Sequence, residues 1–465
     1  MSREEDLIRS TAHAIASTVR EVPPLRLEPA PDELRSPARA PRRLRGDSGR
    51  ERRWRSWAAP LTAAAVVVAL AISLVLVRDI PNDGAVSPNP ITSTGPGGVP
   101  RYYVALKQLA GDMNSPTQRN DIVVGDSLTG KTLATFAPPA HTAFQSVTAA
   151  ADDRTFVVFG VTSSTGSFSN LPAKGATMTG NWYEVRLAPG TAHPARLTRL
   201  PIKPLSVPRS NELPGLGAFI DSFGTVLSGS GQQLAVPEWI APRGLAVKVF
   251  SVATGQLLHE WTTNDPSVVQ EPSLAWIDGD RELALVSRGT SVQPNAKFAV
   301  DNVTVREWPV AGPASGDLVA DSKVVWNVQT VKNPLTTVQL CVEPMVGGPV
   351  LISADGKTFS CTTAGGWGPT DHLSFHTYPL AASTTATAQG TIDYQVTYTN
   401  KGRYIPEVLW TSPSGGTIIG ALFPYTGGPP PIAKGLRVGV ISHGKFTPLR
   451  IPASLAASTV LGIAF

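Results

Sequence analysis

Charge is scarce in this chain. Asp, Glu, Lys and Arg make up 16% of its 465 residues, where an average globular protein has about a quarter. Combined with 42 Gly and 42 Pro, that scarcity argues against a helical bundle and for many short strands joined by turns. Wholesale disorder is excluded too, because an apolar fraction of 42% is enough to bury a core. Cationic surface is missing where a nucleic acid would need it. Residues 1–55 contain 13 Arg and no Lys against 9 acidic residues, so this tail carries +4 of the net +5. The remaining body is nearly neutral, which argues against a nucleic-acid-binding domain. Two further absences bear on enzymes: there is no G-x-S-x-G nucleophile elbow, and no evident pair of carboxylates placed for acid–base work on a glycosidic bond.

One long apolar run stands out. Ser56 to Val77 is 22 residues without a charge. As a helix it would span about 33 Å, matching a hydrocarbon core of about 30 Å. Pro60 falls in the first turn, where a missing N–H costs little. Trp54 and Trp57 sit at one end, as interfacial anchors do. Arg42, Arg43, Arg45, Arg50, Arg52, Arg53 and Arg55 precede the run, whereas only Arg78 follows closely, beside Asp79. The positive-inside rule therefore expects an N-terminus in the cytoplasm and residues 79–465 outside the cell membrane. A cleaved signal peptide is the competing reading. It is disfavoured by the length of the run and by the lack of a small-x-small site after Val77. No Cys lies nearby, which excludes a lipoprotein anchor.

The cytoplasmic tail, residues 1–55, divides in two. Residues 3–21 read as a short amphipathic helix, with Ile8, Ala12, Ile15 and Val19 at helical spacing. Pro23-Pro24 ends it. A helix of this length is marginal alone in water, so the stripe expects either a cytoplasmic partner or the membrane surface. Residues 25–55 are a Pro/Arg-rich linker whose Arg residues lie near anionic lipid. Residues 78–100 form a second, Pro-spaced linker on the outer side.

From residue 101 to the end two phrases alternate. One is a strand, a tight Gly-containing turn and another strand: Ile122–Val124 with Leu133–Phe136 around Gly130, and Val247–Val252 with Leu257–Trp261 around Gly255. Weaker copies surround Gly190, Gly316 and Gly444. The other is a small polar turn followed by an apolar strand, as in Ala151–Arg154 before Phe156, Gly229–Gln232 before Leu234, Asp278–Asp280 before Leu283, Ala354–Lys357 before Phe359, and Pro413–Gly416 before Ile418. A copy of the first phrase is missing near Ala381–Gly390. Each pair of phrases supplies about four strands, so residues 101–465 read as an all-β β-propeller of about six to seven four-stranded blades. Val460–Phe465 is a leftover strand that can pair near Tyr102–Leu106 and close the ring. Tandem β-sandwiches are the alternative, since short regularly spaced strands suit both.

The Arg-rich tail before Trp57–Val77, the run Ser353-Ala354-Asp355-Gly356-Lys357, and the turns at Thr129-Gly130-Lys131 and Thr254-Gly255-Gln256 together resemble a family. It comprises single-pass actinobacterial membrane proteins whose outer part is a WD40-like or YVTN-like propeller. The resemblance implies an extracytoplasmic sensor or interaction scaffold, and for some members a link to sigma-factor regulation.

Several motifs invite chemistry. Gly125–Thr132 matches the P-loop pattern, but Pro138-Pro139 leaves no room for the helix a phosphate cradle needs. A hairpin turn is expected instead. Cys341 and Cys361 are the only cysteines. An oxidising location permits a bridge between them, with two buried thiols as the alternative. His372 and His376 are spaced i, i+4, but the stretch does not read as helix and no third zinc ligand is near, so a loop is expected. The Trp residues at 182, 239, 261, 276, 308, 326, 367 and 410 mostly end strands, which suggests blade-core packing, with a carbohydrate-binding rim as the alternative.

The sequence thus assigns no catalytic, cofactor or metal residue. Its expected partners are the lipid bilayer, an extracytoplasmic protein or carbohydrate ligand, and a cytoplasmic partner of the Ile8–Val19 stripe. The leading reading is a non-enzymatic sensor or scaffold. An anti-sigma-like transmembrane regulator and a propeller hydrolase or lyase are the alternatives.

Overall fold

The computed structural model describes residues 98–465 except 109–119, 166–176, 189, 192–193, 207–224, 241–243, 266–267, 269–272, 293–298, 313, 332–350, 365–371, 381–390, 398–403, 425–434 and 459. These residues belong to the chain's second compact unit, Asn89–Phe465. The tail, the apolar run and most of the outer linker lie outside them, and with them the helix expected over 3–21 and the membrane span.

The described strands form six sheets. Blade I begins with β1 (Tyr102–Gln108), β2 (Asn120–Asp126) and β3 (Lys131–Phe136). Blade II is β4 (Thr142–Ala149), β5 (Thr155–Ser163), β6 (Met178–Leu187) and β7 (Ala195–Arg199), with a short β8 (Leu205–Ser206) on β6. Blade III is β9 (Val226–Leu227), β10 (Gln233–Ile240), β11 (Gly244–Ser251) and β12 (Leu257–Thr263). Blade IV uses β13 (Ser273–Ile277), β14 (Glu282–Val292) and β15 (Ala299–Pro309); after β16 (Ser315–Asp317) it is completed by β17 (Lys323–Val331). Blade V is β18 (Leu351–Ile352), β19 (Thr358–Ala364), β20 (His372–Pro379) and β21 (Thr391–Thr397). Blade VI is β22 (Tyr404–Thr411), β23 (Ile418–Pro424), β24 (Arg437–Ser442) and β25 (Lys445–Pro448). After a single helical turn, α1 (Ala453–Ala456), β26 (Val460–Ala464) returns to blade I and pairs antiparallel with β1.

That last strand closes a ring. The first strands of the blades touch in the cyclic order β26, β4, β9, β13, β18, β22 and back to β26. This is a six-bladed β-propeller, and two separate sandwiches could not give that cycle. The core is correspondingly divided into six apolar clusters, one between each neighbouring pair of blades. Blades packed on both faces need strands apolar on both faces. Accordingly β1 is buried at six of seven positions, whereas the rim strand β3 is exposed or half-exposed throughout.

The turn between the first and second strands repeats in sequence and geometry. Five copies align as Ala150–Phe156, Ser228–Leu234, Ile277–Leu283, Ser353–Phe359 and Ser412–Ile418. The fourth residue is left-handed in every copy: Asp153 (φ 50°), Gly231 (71°), Asp280 (67°), Gly356 (68°) and Gly415 (73°). Gly and Asp recur there because other side chains tolerate this conformation poorly. The seventh residue, Phe156, Leu234, Leu283, Phe359 or Ile418, is buried in each case.

Two sequence expectations are corrected. Gly316 is not the turn of a hairpin. It lies in β16, which leaves blade IV and adds in parallel to β12 of blade III, while β15 pairs with β17. The stretch containing His372 and His376 is strand β20 and not a loop. Along a strand, positions i and i+4 are about 13 Å apart, so the pair cannot ligate one metal ion.

Candidate functional site

The two faces of the ring are built differently. On one face the turns bond to one another all the way round. Arg101 N donates to Asp153 Oδ2 (2.8 Å), joining blade I to blade II. Ala151 N donates to Gly229 O (3.0 Å), Asp278 N to Ala354 O (2.9 Å) and Asp355 N to Pro413 O (3.1 Å). Between blades III and IV the Asp280 carboxylate accepts from Gly229 N and Ser230 N, both at 2.7 Å. Just past the rim strand of blade VI, Arg450 N donates to Ser127 O of blade I (3.0 Å) and completes the belt. The turns between first and second strands are short and bonded to their neighbours, while the longer connections 310–322 and 380–390 also join strand ends on this face.

Electrostatics reinforce the belt where the chain first enters it. Arg101 Nε and Nη2 donate to Asp126 Oδ2 at 3.1 and 2.8 Å, and Asp126 Oδ1 accepts from Leu128 N and Thr129 N. Burial pushes the Asp126 pKa up. The hydrogen bonds from Arg101, Thr129 and Leu128 outweigh that and hold it below the usual carboxylate value. Tyr103, on the adjoining strand, is fully buried, and burial raises its hydroxyl pKa well above the ordinary one.

Strand ends flanking residues 109–119, 164–177, 200–225, 332–350, 425–436 and 451–459 lie on the opposite face. Below them, at the junction of blades I and II, lies a polar seam. Thr142, Thr162, Asn181 and Arg199 come one each from β4, β5, β6 and β7, so the row crosses the whole blade. Thr142 Oγ1 and Thr162 Oγ1 are 3.0 Å apart; Asn181 Nδ2 donates to Thr162 Oγ1 (3.0 Å) and Arg199 Nη2 to Asn181 Oδ1 (2.5 Å). From blade I, the fully buried Asn120 donates to Phe144 O (2.7 Å), and its Oδ1 has no partner among the described residues. Polar side chains buried between blades are costly unless bonded. The bonded row runs from Thr142, buried at the blade interface, to the exposed Arg199 at the rim, and Asn120 is bonded to the same strand as Thr142 through Phe144 O. Sequence reasoning missed it, because the residues sit in four separate strands. The only local sign was a polar residue interrupting each apolar run.

The motifs singled out from the sequence resolve as follows. Asp126 and Lys131 end a β2–β3 hairpin whose turn residue Gly130 has φ 71°, so Gly125–Thr132 is a turn with no following helix. Cys361 lies buried on β19, facing the blade IV/V core, and is disulfide-bonded. Cys341 falls outside the described residues, as do Ile8, Ala12, Ile15 and Val19. Trp182, Trp261, Trp276, Trp308 and Trp326 are buried in blade cores. Trp239 packs half-buried against the blade III/IV cluster and Trp410 against the VI/I cluster. His376 is half-buried beside Tyr378, and burial lowers its pKa. Among the described residues no three His, Cys, Asp or Glu side chains gather as metal ligands, and no helix is long and apolar enough to cross a membrane.

No protein-family model matches the chain, and neither does any curated protein. Among solved structures it is similar to TolB from Acinetobacter baumannii, at 12% identity and a TM-score of 0.40, covering 78% of this chain and 66% of that one. It is also similar to the periplasmic gluconolactonase of Pseudomonas aeruginosa (14% identity, TM-score 0.35, 77% and 98% covered). A third is the β-propeller domain of the Trilobed protease from Pyrococcus furiosus (7% identity, TM-score 0.35, 75% and 94% covered).

Proposed function

We propose that this protein is a membrane-anchored, extracytoplasmic β-propeller that serves as a sensor or interaction scaffold and engages its partner through the long-loop face. The observation that carries this reading is the asymmetry of the ring. One face carries a belt of hydrogen bonds between turns of neighbouring blades, closed between blades VI and I by Arg450 N donating to Ser127 O. On the other lie the strand ends where each blade's second and third strands are joined and where one blade leads to the next, beside the polar seam from Thr142 to Arg199. Binding residues concentrate on loops held by a rigid scaffold, and the ring supplies such a scaffold. The chain enters the propeller at Gly98–Arg101, on the belt side. The anchor itself is read from the uncharged run Ser56–Val77 and the arginines before it.

Protease added to intact cells or protoplasts tests the topology. Digestion of residues beyond about 80 with the tail spared is the expected pattern, following the arginine asymmetry. A digested tail with a protected propeller would overturn it.

A further inference from the structure

Asp393 is the extra residue of a β-bulge. Phe375 of β20 pairs with Tyr394 and His376 with Ile392, so Asp393 of β21 has no residue opposite it. Bulges on outer strands re-aim a side chain, and here the re-aimed group is a carboxyl. Thr377 of β20 hydrogen-bonds to it, and Thr377 Oγ1 lies 3.3 Å from Oγ of Ser360, fully buried on β19. This polar row ends at Asp393 Oδ2, which is buried and has no partner among the described residues. At the same place β21 packs against the β24–β25 hairpin of blade VI. A Cβ on Gly444 would lie 3.9 Å from Asp393 O, and the Tyr394 and Phe446 rings are 5.4 Å apart. Burial pushes the Asp393 pKa up, and the Thr377 bond offsets this only in part. On β20, burial and the Asp393 charge push the Tyr378 hydroxyl up to about 12, so it stays neutral, and burial lowers the pKa of His376. The hairpin contributes Arg437, His443 and Lys445. Arg437 Cζ lies 5.5 Å from the centre of the Phe446 ring, His443 Nδ1 is 2.8 Å from Ser442 Oγ, and Lys445 is exposed.

We propose that Asp393 makes the junction of blades V and VI a pH-sensitive clasp, closed while its carboxyl is protonated and loosened when it ionises. A buried carboxylate oxygen without a partner is costly once charged, and water reaches Oδ2 when the hairpin lifts from β21. The closed state holds its proton to higher pH than the open one, whose value is about 3.9. Closure is therefore complete below that value and weakens as pH rises through the higher, closed-state pKa. The bland reading is that a charge on the outer strand β21 merely discourages edge-to-edge pairing. That role needs no contact with blade VI.

Hydrogen exchange on the full-length protein, corrected for the intrinsic pH dependence of amide exchange, separates the two. The opening constant of the β24–β25 hairpin, residues 437–448, should rise by up to about tenfold per pH unit above about pH 4, the slope of one released proton. Asp393→Asn keeps an acceptor for Thr377 and should abolish the rise. Thr377→Val removes the bond that favours the charge and should carry the rise to higher pH. His443→Gln should leave it unchanged. Titration of His376 would give the opposite sign, because a lowered histidine pKa adds stability as pH rises. A rise that persists in Asp393→Asn, or hairpin protection in the parent that does not change with pH, would overturn the proposal. Because neither the anchor nor the loop face enters the readout, the outcome is independent of the function proposed above.

Discussion

Gly130 sits at φ 71°, and a Cβ placed on it would lie 3.2 Å from Arg450 Cβ, at the junction of blades VI and I. Both the backbone and the neighbouring blade therefore select glycine. Gly130→Val should destabilise the propeller by about 1–3 kcal/mol, the usual cost of a strained backbone position, whereas Lys131→Ala at the exposed start of β3 should leave the melt unchanged. Thermal melts with and without Mg-ATP check both, and a nucleotide effect that disappears in Lys131→Ala would reinstate a phosphate-binding loop. Asp126 gives a pH signature. Its folded pKa lies below the unfolded value of about 3.9. Its contribution to stability is therefore complete above that value and is lost as pH falls through the folded pKa. Asp126→Asn should lose stability at neutral pH yet show a shallower decline than the parent as pH falls below the unfolded value, read by chemical denaturation over that range. At this scale the sequence was informative. The polar turns with Gly or Asp at the left-handed position align from the amino-acid order alone, because a local steric rule fixes them.

β26 is the element on which ring closure depends. Val104, Ala105 and Leu106 of β1 face Ala464, Ile463 and Gly462 across the ladder, and Ile463 and Phe465 are buried in the cluster between blades VI and I. Ile463→Ala should cost about 2–5 kcal/mol, as truncation of buried aliphatic side chains does. Removal of residues 459–465 should replace one cooperative unfolding transition with a broad one, measured by calorimetry. A sharp transition at an unchanged temperature would show that the ring does not depend on this strand. The leftover run at the C-terminus was legible because it had no hairpin partner of its own. β16 was not, since its partner is the rim strand of another blade and a parallel pairing leaves no local turn signal. The bridge of Cys361 belongs to this scale as well. The only other cysteine is Cys341, and the expected pairing joins the connection between blades IV and V to β19. Alkylation without reduction, followed by mass spectrometry, should leave both thiols unmodified. Two alkylated cysteines would contradict it.

At the level of the molecule, six blades and six interblade cores make one ring whose faces have diverged. The alternation of two short phrases placed the blade number at about six to seven, against the six found, and the leftover Val460–Phe465 run indicated the ring's closure. The polar seam was not readable, because it exists only when four strands of blade II are laid side by side against Asn120. Nor does periodicity report which face of a propeller is free, since that depends on which turns bond to their neighbours. The proposed binding role rests on this division of labour between the faces, and site-directed photocrosslinking on intact cells probes it. A benzoylphenylalanine placed at the exposed positions Ser164 or Ile240 lies on the loop face, and one at Leu128, Thr254 or Ser414 lies on the belt face. Partner adducts are expected from Ser164 and Ile240, and none from the belt positions. Adducts confined to Leu128, Thr254 and Ser414 would contradict a binding role for the loop face.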